Sequence, residues 1–371
     1  MPTACILHPQ ARVRLNRERL EVWAANEAKA GELEILREIP LRDLDRLIFA
    51  ESVQISSGAL AALLRGNIPV NLLGWNGQFL GGFLPPAPAH GRARLRQYQR
   101  TLDPAFALPI AARIVTAKLY NQRRVLQRLL ANRDEEDPDS QSAILNPKSE
   151  IASPLSGIPN PKSKIENQKS EIQSALSWLD NLFASISRAQ TIDEVRGYEG
   201  VCAARYFECW AAFLPAEFPF ERRSTRPPHN AVNACISFGA TLVYQEMVSF
   251  LHAHGLDPAL GLLHNTEDGR WSLALDLIEP FRPAFVEALA LDLFSRQILN
   301  AKNFESKNGG IYLNEDGRKK FLLQYERRME RQFMSECAGH RTTLRQQLEN
   351  QAVLFKAALE DPAKFEPFVM N

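Results

Sequence analysis

A proline-rich run, Leu84-Pro85-Pro86-Ala87-Pro88, cuts this chain into two stretches of opposite character. Proline lacks the N–H that helices and sheets use, so neither element runs through it and a stiff, extended spacer is expected. Before it the sequence alternates. Arg12-Val13-Arg14-Leu15 and Arg19-Leu20-Glu21-Val22-Trp23 place apolar side chains at every second position, the period of a strand with one wet face. Ile68-Pro69-Val70-Asn71-Leu72-Leu73 reads as a buried strand, and Trp75-Asn76-Gly77-Gln78 supplies the Asn-Gly pair of a tight hairpin returning through Phe79 and Leu80. A short helix, Ser57 to Arg65, interrupts the series and stops at Gly66. From Arg92 onward nearly every segment shows helical spacing and is rich in Ala, Leu, Arg and Gln. The expected fold class is therefore α+β: a small β-rich domain over residues 1–85, a linker and first helices over 86–132, and a larger all-α domain over 174–371.

Residues 133–173 stand apart. Asn146-Pro147-Lys148-Ser149-Glu150-Ile151 recurs as Asn160-Pro161-Lys162-Ser163-Lys164-Ile165 and as Asn167-Gln168-Lys169-Ser170-Glu171-Ile172. A polar repeat with prolines and few large apolar residues buries too little surface to offset its ordering entropy. A disordered low-complexity insertion between two helices is expected, and the repeat is too short for a solenoid.

With 371 residues, 45% of them hydrophobic, the chain is long enough for two domains and a full-sized core. The formal net charge of +1 excludes gross polycation behaviour, so any nucleic-acid binding must come from a local patch. Met1-Pro2-Thr3-Ala4-Cys5 lacks the basic flank and apolar core of a signal peptide. The apolar runs fall short of the roughly 18 residues expected of a membrane span. The five cysteines, Cys5, Cys202, Cys209, Cys235 and Cys337, form no C-x-x-C pair, which suits a reduced cytoplasmic protein with buried thiols.

Three distant stretches carry charge in apolar or small-residue surroundings, where it is costly unless paired. They are Arg196-Gly197-Tyr198-Glu199-Gly200, Gly261-Leu262-Leu263-His264 and Asp276-Leu277-Ile278-Glu279-Pro280-Phe281-Arg282-Pro283. Thr191-Ile192-Asp193-Glu194 reads as a capping box opening the helix of Glu199. Gly197 and Gly200 cost that helix about 1 kcal/mol each, which suggests a close approach to its backbone. The plainer alternative is a surface Glu199 paired with Arg196 or Arg205. His264 is a metal donor or a hydrogen-bonded core residue. If Ser272 caps a helix, Asp276 and Glu279 share one face and need a cation or a proton between them. Alternatively one is exposed and the other caps a neighbour. Oxygen donors plus one imidazole, with no thiolate, suit Mg2+ or Mn2+ better than zinc and point to phosphodiester chemistry. No G-x-S-x-G elbow, phosphate-binding G-x-x-x-x-G-K-[ST] loop or H-E-x-x-H zinc helix competes.

Taken together, these stretches resemble the CRISPR-associated spacer-acquisition integrases, the Cas-one endonucleases. Arg196 to Phe207 resembles that family's R-G-x-E-G-x-x-A-x-x-Y-F helix, and Asn233-Ala234-Cys235-Ile236-Ser237-Phe238-Gly239 its N-A-x-x-S-F-G start. Gly255-Leu256-Asp257-Pro258 with Gly261 to His264 resembles G-L-D-P-x-x-G-x-L-H, and Ser272 through Pro283 resembles S-L-A-L-D-L-x-E-x-F-R-P. Phe304 to Leu313 and Gly317-Arg318 are similar to its F-x-x-x-x-G-G-x-x-L-x-x-x-G-R stretch. The likeness spans nearly the whole chain except the insertion. Asn230-Ala231 replaces the family's frequent Asp-Pro, one helix N-cap for another.

The resemblance implies a metal-dependent DNA endonuclease and integrase that inserts foreign DNA fragments as new spacers, by 3′-hydroxyl attack on a phosphodiester. Glu199, His264 and Glu279 would be the ligands of Mg2+ or Mn2+, and Asp276 a neighbouring acidic group of the catalytic site. It also implies a homodimer built through the β domain, double-stranded DNA as substrate, and a small second acquisition protein, "Cas-two", as partner. DNA contacts are expected from Arg222, Arg223, Arg226 and His229 and from Arg318, Lys319 and Lys320, with Arg327, Arg328 and Arg331 nearby and Arg92, Arg94 and Arg96 as a second strip. A catalytically silent DNA scaffold and a stand-alone transposon-type integrase are the competing classes.

Overall fold

The fold is that of a computed structural model, which describes residues 3–25, 32–86, 90–135, 161–335 and 339–371. The alternating N-terminal stretch folds into two four-stranded sheets. In one, β1 (Thr3–Ile6), β5 (Arg46–Ala50) and β7 (Val70–Leu73) run parallel and β8 (Phe79–Phe83) returns antiparallel. The other is ordered β4 (Leu33–Pro40), β3 (Arg19–Ala25), β2 (Arg12–Asn16) and β6 (Gln54–Ile55). Helix α1 (Ser57–Arg65) starts where the Ser56 hydroxyl accepts from Ala59 N and ends at Gly66. Val13, Leu20, Val22, Leu47, Phe49, Leu63 and Val70 share one core. The central strand β5 serves two cores. Leu47 and Phe49 face the β core, and Ile48 between them joins Leu7 and Leu73 in the helical core, as a period-two strand buried on both faces must.

The larger region consists of α2 (Gly91–Thr101), α3 (Pro104–Glu135), α4 (Pro161–Ser187), α5 (Ile192–Ala211), α6 (Ala231–Ala253), α7 (Ser272–Ile278), α8 (Ala288–Ser295), α9 (Glu315–Glu330) and α10 (Leu344–Ala358). A π-helical segment, Arg282–Glu287, joins α7 to α8. The expectation of an all-α region needs amending. Two antiparallel ribbons lie within it, β9 (Phe304–Lys307) with β10 (Gly310–Leu313) and β11 (Phe333–Ser335) with β12 (His340–Thr342). Strands of three or four residues are too short to show a period. The first ribbon turns at Gly309, whose φ is +75°.

The expected insertion also ends earlier than 173. Helix α4 begins at Pro161, and Ile172, from the third copy of the repeat, is 1% exposed. Ile172, Ala175 and Leu179 lie at helical spacing in the common core. That stripe outweighs the polar composition around it. Residues 136–160, with the first copy of the repeat, lie outside the described residues, as do 87–89 of the linker and Cys337. Helix α6 is long and apolar enough to span a bilayer, contrary to the reading of apolar runs, but 72% of its most apolar window is buried among neighbouring helices. Asn230 caps it by accepting from Asn233 N at 2.8 Å.

Besides the packing of Leu7, Ile48 and Leu73, the two regions meet through an ion pair and through a hairpin. Arg46 of β5 reaches Glu246 of α6 at 2.7 Å, both side chains almost wholly buried. The β7–β8 hairpin docks beside β10, with Trp75 edge-to-face against Tyr312 at 5.3 Å and Lys307 Nζ 3.7 Å from the Trp75 ring centre. Gly77 has φ +79°, and a Cβ there would lie 2.5 Å from the Phe238 ring, so the turn and the close approach both require glycine.

Candidate metal centre

The Thr191 hydroxyl accepts from Glu194 N at 3.2 Å while the Glu194 carboxylate accepts from Gln190 N at 2.8 Å. This N-terminal box starts α5 and carries Glu199 two turns further on, its side chain about a quarter exposed. Glu279, immediately past α7, is 3% exposed in its side chain. Both carboxylates turn toward the same point, occupied by Lys118 from the middle of α3. Its ammonium touches Glu199 Oε1 and lies 2.5 Å from Glu279 Oε2. Arg282 donates to the other oxygen of Glu279 at 2.8 Å.

Asp276 organises the Gly261–His264 stretch. Its fully buried carboxylate accepts from Leu262 N at 2.6 Å, Leu263 N at 2.9 Å and His264 N at 2.9 Å, and lies 2.6 Å from His264 Nδ1. Gly261 is required here, since a Cβ would sit 2.5 Å from the His264 carbonyl oxygen. Arg196 donates from Nε to the Leu263 carbonyl at 2.6 Å and also holds Asp193 and Asn265, tying this loop to α5.

Several expectations change. Ser272 is the first residue of α7 rather than its cap, and its hydroxyl donates to the Asn265 carbonyl at 2.6 Å. Asp276 and Glu279 do not share partners: one is satisfied by backbone N–H groups and an imidazole, the other by Lys118 and Arg282. Glu199 pairs with neither Arg196 nor Arg205, which are engaged by Asp193 and Glu208. A Cβ at Gly197 or Gly200 would meet nothing within 4 Å, so no part of the described chain presses on that face of α5.

The electrostatics follow from burial against cation density. Burial alone would raise the Glu279 carboxyl, but Arg282, Lys118 and His264 outweigh it and hold its pKa well below the usual range. Burial opposes the charge on Lys118, and the Glu279 and Glu199 carboxylates outweigh that, so its pKa is raised. Burial pushes the Cys202 thiol to about 12, with Glu199 adding to the shift, so it stays protonated at neutral pH.

Among the described residues no three carboxylate, imidazole or thiol groups already stand at ligating distance around one point. The donor set nonetheless fits a divalent ion. Two carboxylates converge on a single cationic position, and the Asp276 side chain that holds His264 lies three residues before Glu279. With Nδ1 taken by Asp276, the imidazole keeps Nε2 for a ligand, the arrangement in which an outer carboxylate fixes a metal-binding histidine.

The predicted DNA-contacting residues divide. Arg222, Arg226 and His229 are exposed in the loop before α6. Arg223 packs inward, donating to Asn233 Oδ1, and burial beside Arg282 lowers its pKa to about 10. Arg318 donates to the Trp75 carbonyl, while Lys319 and Lys320 form i,i+4 pairs with Glu315 and Asp316 at 2.7 and 2.9 Å. Arg328 is paired with Asp292 and Arg96 with Glu360. The sequence reading did not single out Lys118. Its signal was available: Ala111, Val115, Lys118 and Gln122 lie on one buried face of α3, and a lysine on such a face demands a partner.

The model of the family described as CRISPR associated protein Cas1 matches residues 4–160 and 159–327. The chain belongs to the Cas1 family. A CRISPR-associated endonuclease Cas1 from Leptospira interrogans is 30% identical over 281 residues, 74% of this chain and 98% of that protein. Among solved structures, a casposase bound to its integration product superposes with TM-score 0.75 at 20% identity, over 98% of this chain and 91% of the other. A chain of a Cas6-RT-Cas1–Cas2 complex superposes with TM-score 0.73 at 22% identity, over 100% of this chain and 36% of the longer one. At these identities the structures establish a shared Cas1 fold, β-rich at the N-terminus and helical beyond.

Proposed function

We propose that this Cas1 protein is a metal-dependent DNA endonuclease and integrase that joins the 3′-hydroxyl of a DNA fragment to a phosphodiester of a CRISPR repeat. The convergence of Glu199 and Glu279 on one cationic position, beside an imidazole fixed by Asp276, carries this reading. Glu199, Glu279 and His264 Nε2 would hold Mg2+ or Mn2+, which supplies Lewis acidity toward the attacking hydroxyl and the phosphate oxygens. In the joining step a new P–O bond forms to the fragment, the old P–O bond of the repeat breaks, and a proton passes from the attacking to the departing 3′-oxygen. With water as the nucleophile the same exchange is hydrolysis. The chain's own residues position: Arg282 keeps Glu279 ionised and aimed, Asp276 keeps the imidazole turned, and Arg196 holds the two stretches together. Duplex DNA lies along the exposed Arg222, Arg226 and His229 loop and the open face of α5.

Homodimerisation is proposed through the β domain. Its edge strand β4 exposes Leu33, Ile35 and Leu36 at 39, 42 and 46%, the kind of edge that recruits another chain. Cas2 is the proposed small partner, in line with the assembly named for the structural relative. The test is strand transfer of a labelled duplex into a repeat-bearing plasmid with Cas2 present. Joining is expected with Mn2+, and is lost with chelator and in Glu199→Ala and His264→Ala. If wild type joins nothing while all three forms bind the duplex equally, the scaffold reading replaces this one.

A further inference from the structure

We propose that Lys118 is a resident counter-cation that keeps Glu199 and Glu279 in ligating register and must withdraw when a divalent ion binds. This rests on the reading of Glu199, His264 and Glu279 as a metal site. The inference comes from how the oxygens are shared. Arg282 takes Glu279 Oε1, and the Lys118 ammonium takes both remaining inward oxygens, Glu199 Oε1 and Glu279 Oε2. A divalent ion ligated by those same two atoms would sit about 2.0–2.2 Å from each, in the space the ammonium fills. The two cations cannot share it.

The fold fits such an exchange. Lysine carries a compact charge on a flexible four-carbon stem, so its head can move while the stem stays packed; a planar guanidinium cannot move as freely. The withdrawn charge also has a destination. Glu287, from the π-helical segment, is buried, and Lys118 stands with Arg282 and Arg223 among the cations around it. Before metal arrives, the ammonium prevents two carboxylates from repelling one another in a largely buried site. Afterwards it balances Glu287.

The experiment is Mn2+ titration by calorimetry, together with metal-free melting temperature, on full-length wild type, Lys118→Met, Lys118→Arg and Glu199→Ala. Removing the competing charge in Lys118→Met is expected to tighten Mn2+ binding about tenfold or more. The same change should lower the metal-free melting temperature and enlarge the rise on adding Mn2+. Lys118→Arg, which keeps the charge and therefore the fold, is expected to weaken Mn2+ binding by a similar factor. It decides the matter alone if Lys118→Met does not fold. Mn2+ affinities in the lysine variants equal to wild type, or weaker in Lys118→Met, overturn the exchange while Glu199→Ala still confirms the metal site. No binding by wild type overturns both.

Discussion

Asp276 accepts three backbone N–H groups and faces an imidazole, so one side chain sets the shape of the 262–264 turn and the direction of His264. An asparagine there keeps one acceptor oxygen but turns an NH2 group toward donors that then have no partner. Unpaired buried donors cost about 1–3 kcal/mol each, and loss of an outer carboxylate costs about 10–100-fold in metal affinity. Asp276→Asn is therefore expected to lose about 2 kcal/mol in urea denaturation and at least tenfold in Mn2+ affinity. Unchanged Mn2+ affinity with lowered stability would make Asp276 a turn former only. Arg196 acts on the same loop from the other side. Arg196→Lys cannot reproduce its fork to Leu263 O, Asp193 and Asn265, and it is expected to weaken Mn2+ binding without changing the ligands.

Helix α5 presents the clearest test at the level of an element. Gly197 and Gly200 flank Glu199, yet a Cβ at either meets open space and Val201 beside them is 57% exposed. Nothing among the described residues requires glycine there, so Gly197→Ala should stabilise the protein by about 1 kcal/mol. If DNA lies along this face, a large side chain at Gly200 lowers strand joining while leaving Mn2+ affinity intact. Equal joining by Gly200→Phe and wild type would place the duplex elsewhere. Much of this element was legible in the sequence, because Thr191 and Glu194 satisfy end amides by a local rule, as Asn230 does for α6. The β domain was legible through its alternation, and the three site stretches through charges set among apolar residues. What was hidden depends on pairing across long separations. Lys118 finds Glu199 81 residues away, and nothing local distinguishes Arg223 or Arg318, turned inward, from Arg222, left in solvent. The ribbons β9–β10 and β11–β12 are too short for a periodic signal, and the end of the low-complexity segment was masked by polar composition around Ile172.

For the molecule as a whole, one buried carboxylate ties the β-rich region to the helical one, beside the apolar packing of Leu7, Ile48 and Leu73 and the Trp75 hairpin. Glu246 of α6 takes Arg46 from β5 at 2.7 Å, Arg345 from α10 at 3.0 Å and the Tyr325 hydroxyl of α9 at 2.9 Å. Burial works against its charge, yet Arg46 and then Arg345 draw its pKa from 4.5 down to about 2. The folded value lies below the unfolded one, so between them the unfolded chain binds more protons and stability rises with pH. The contribution is fully present above about 4.5 and is lost as pH falls toward about 2. A shift of that size corresponds to roughly 3 kcal/mol. Glu246→Gln leaves Arg46 and Arg345 buried beside a neutral amide, and breaking one partner of a buried ionic network costs about 3–5 kcal/mol. Because Arg46 is the member contributed by the β-rich region, the loss falls on the junction. Glu246→Gln is expected to separate the single urea transition near neutral pH into two, the β-rich region unfolding first, and to flatten the acid dependence below about pH 4.5. The measurement is tryptophan fluorescence, which follows Trp23 in β3 and Trp210 in the helical core, against far-ultraviolet circular dichroism. A variant that keeps one coincident transition and the wild-type acid slope would show that the apolar and hairpin contacts, rather than Glu246, couple the two regions.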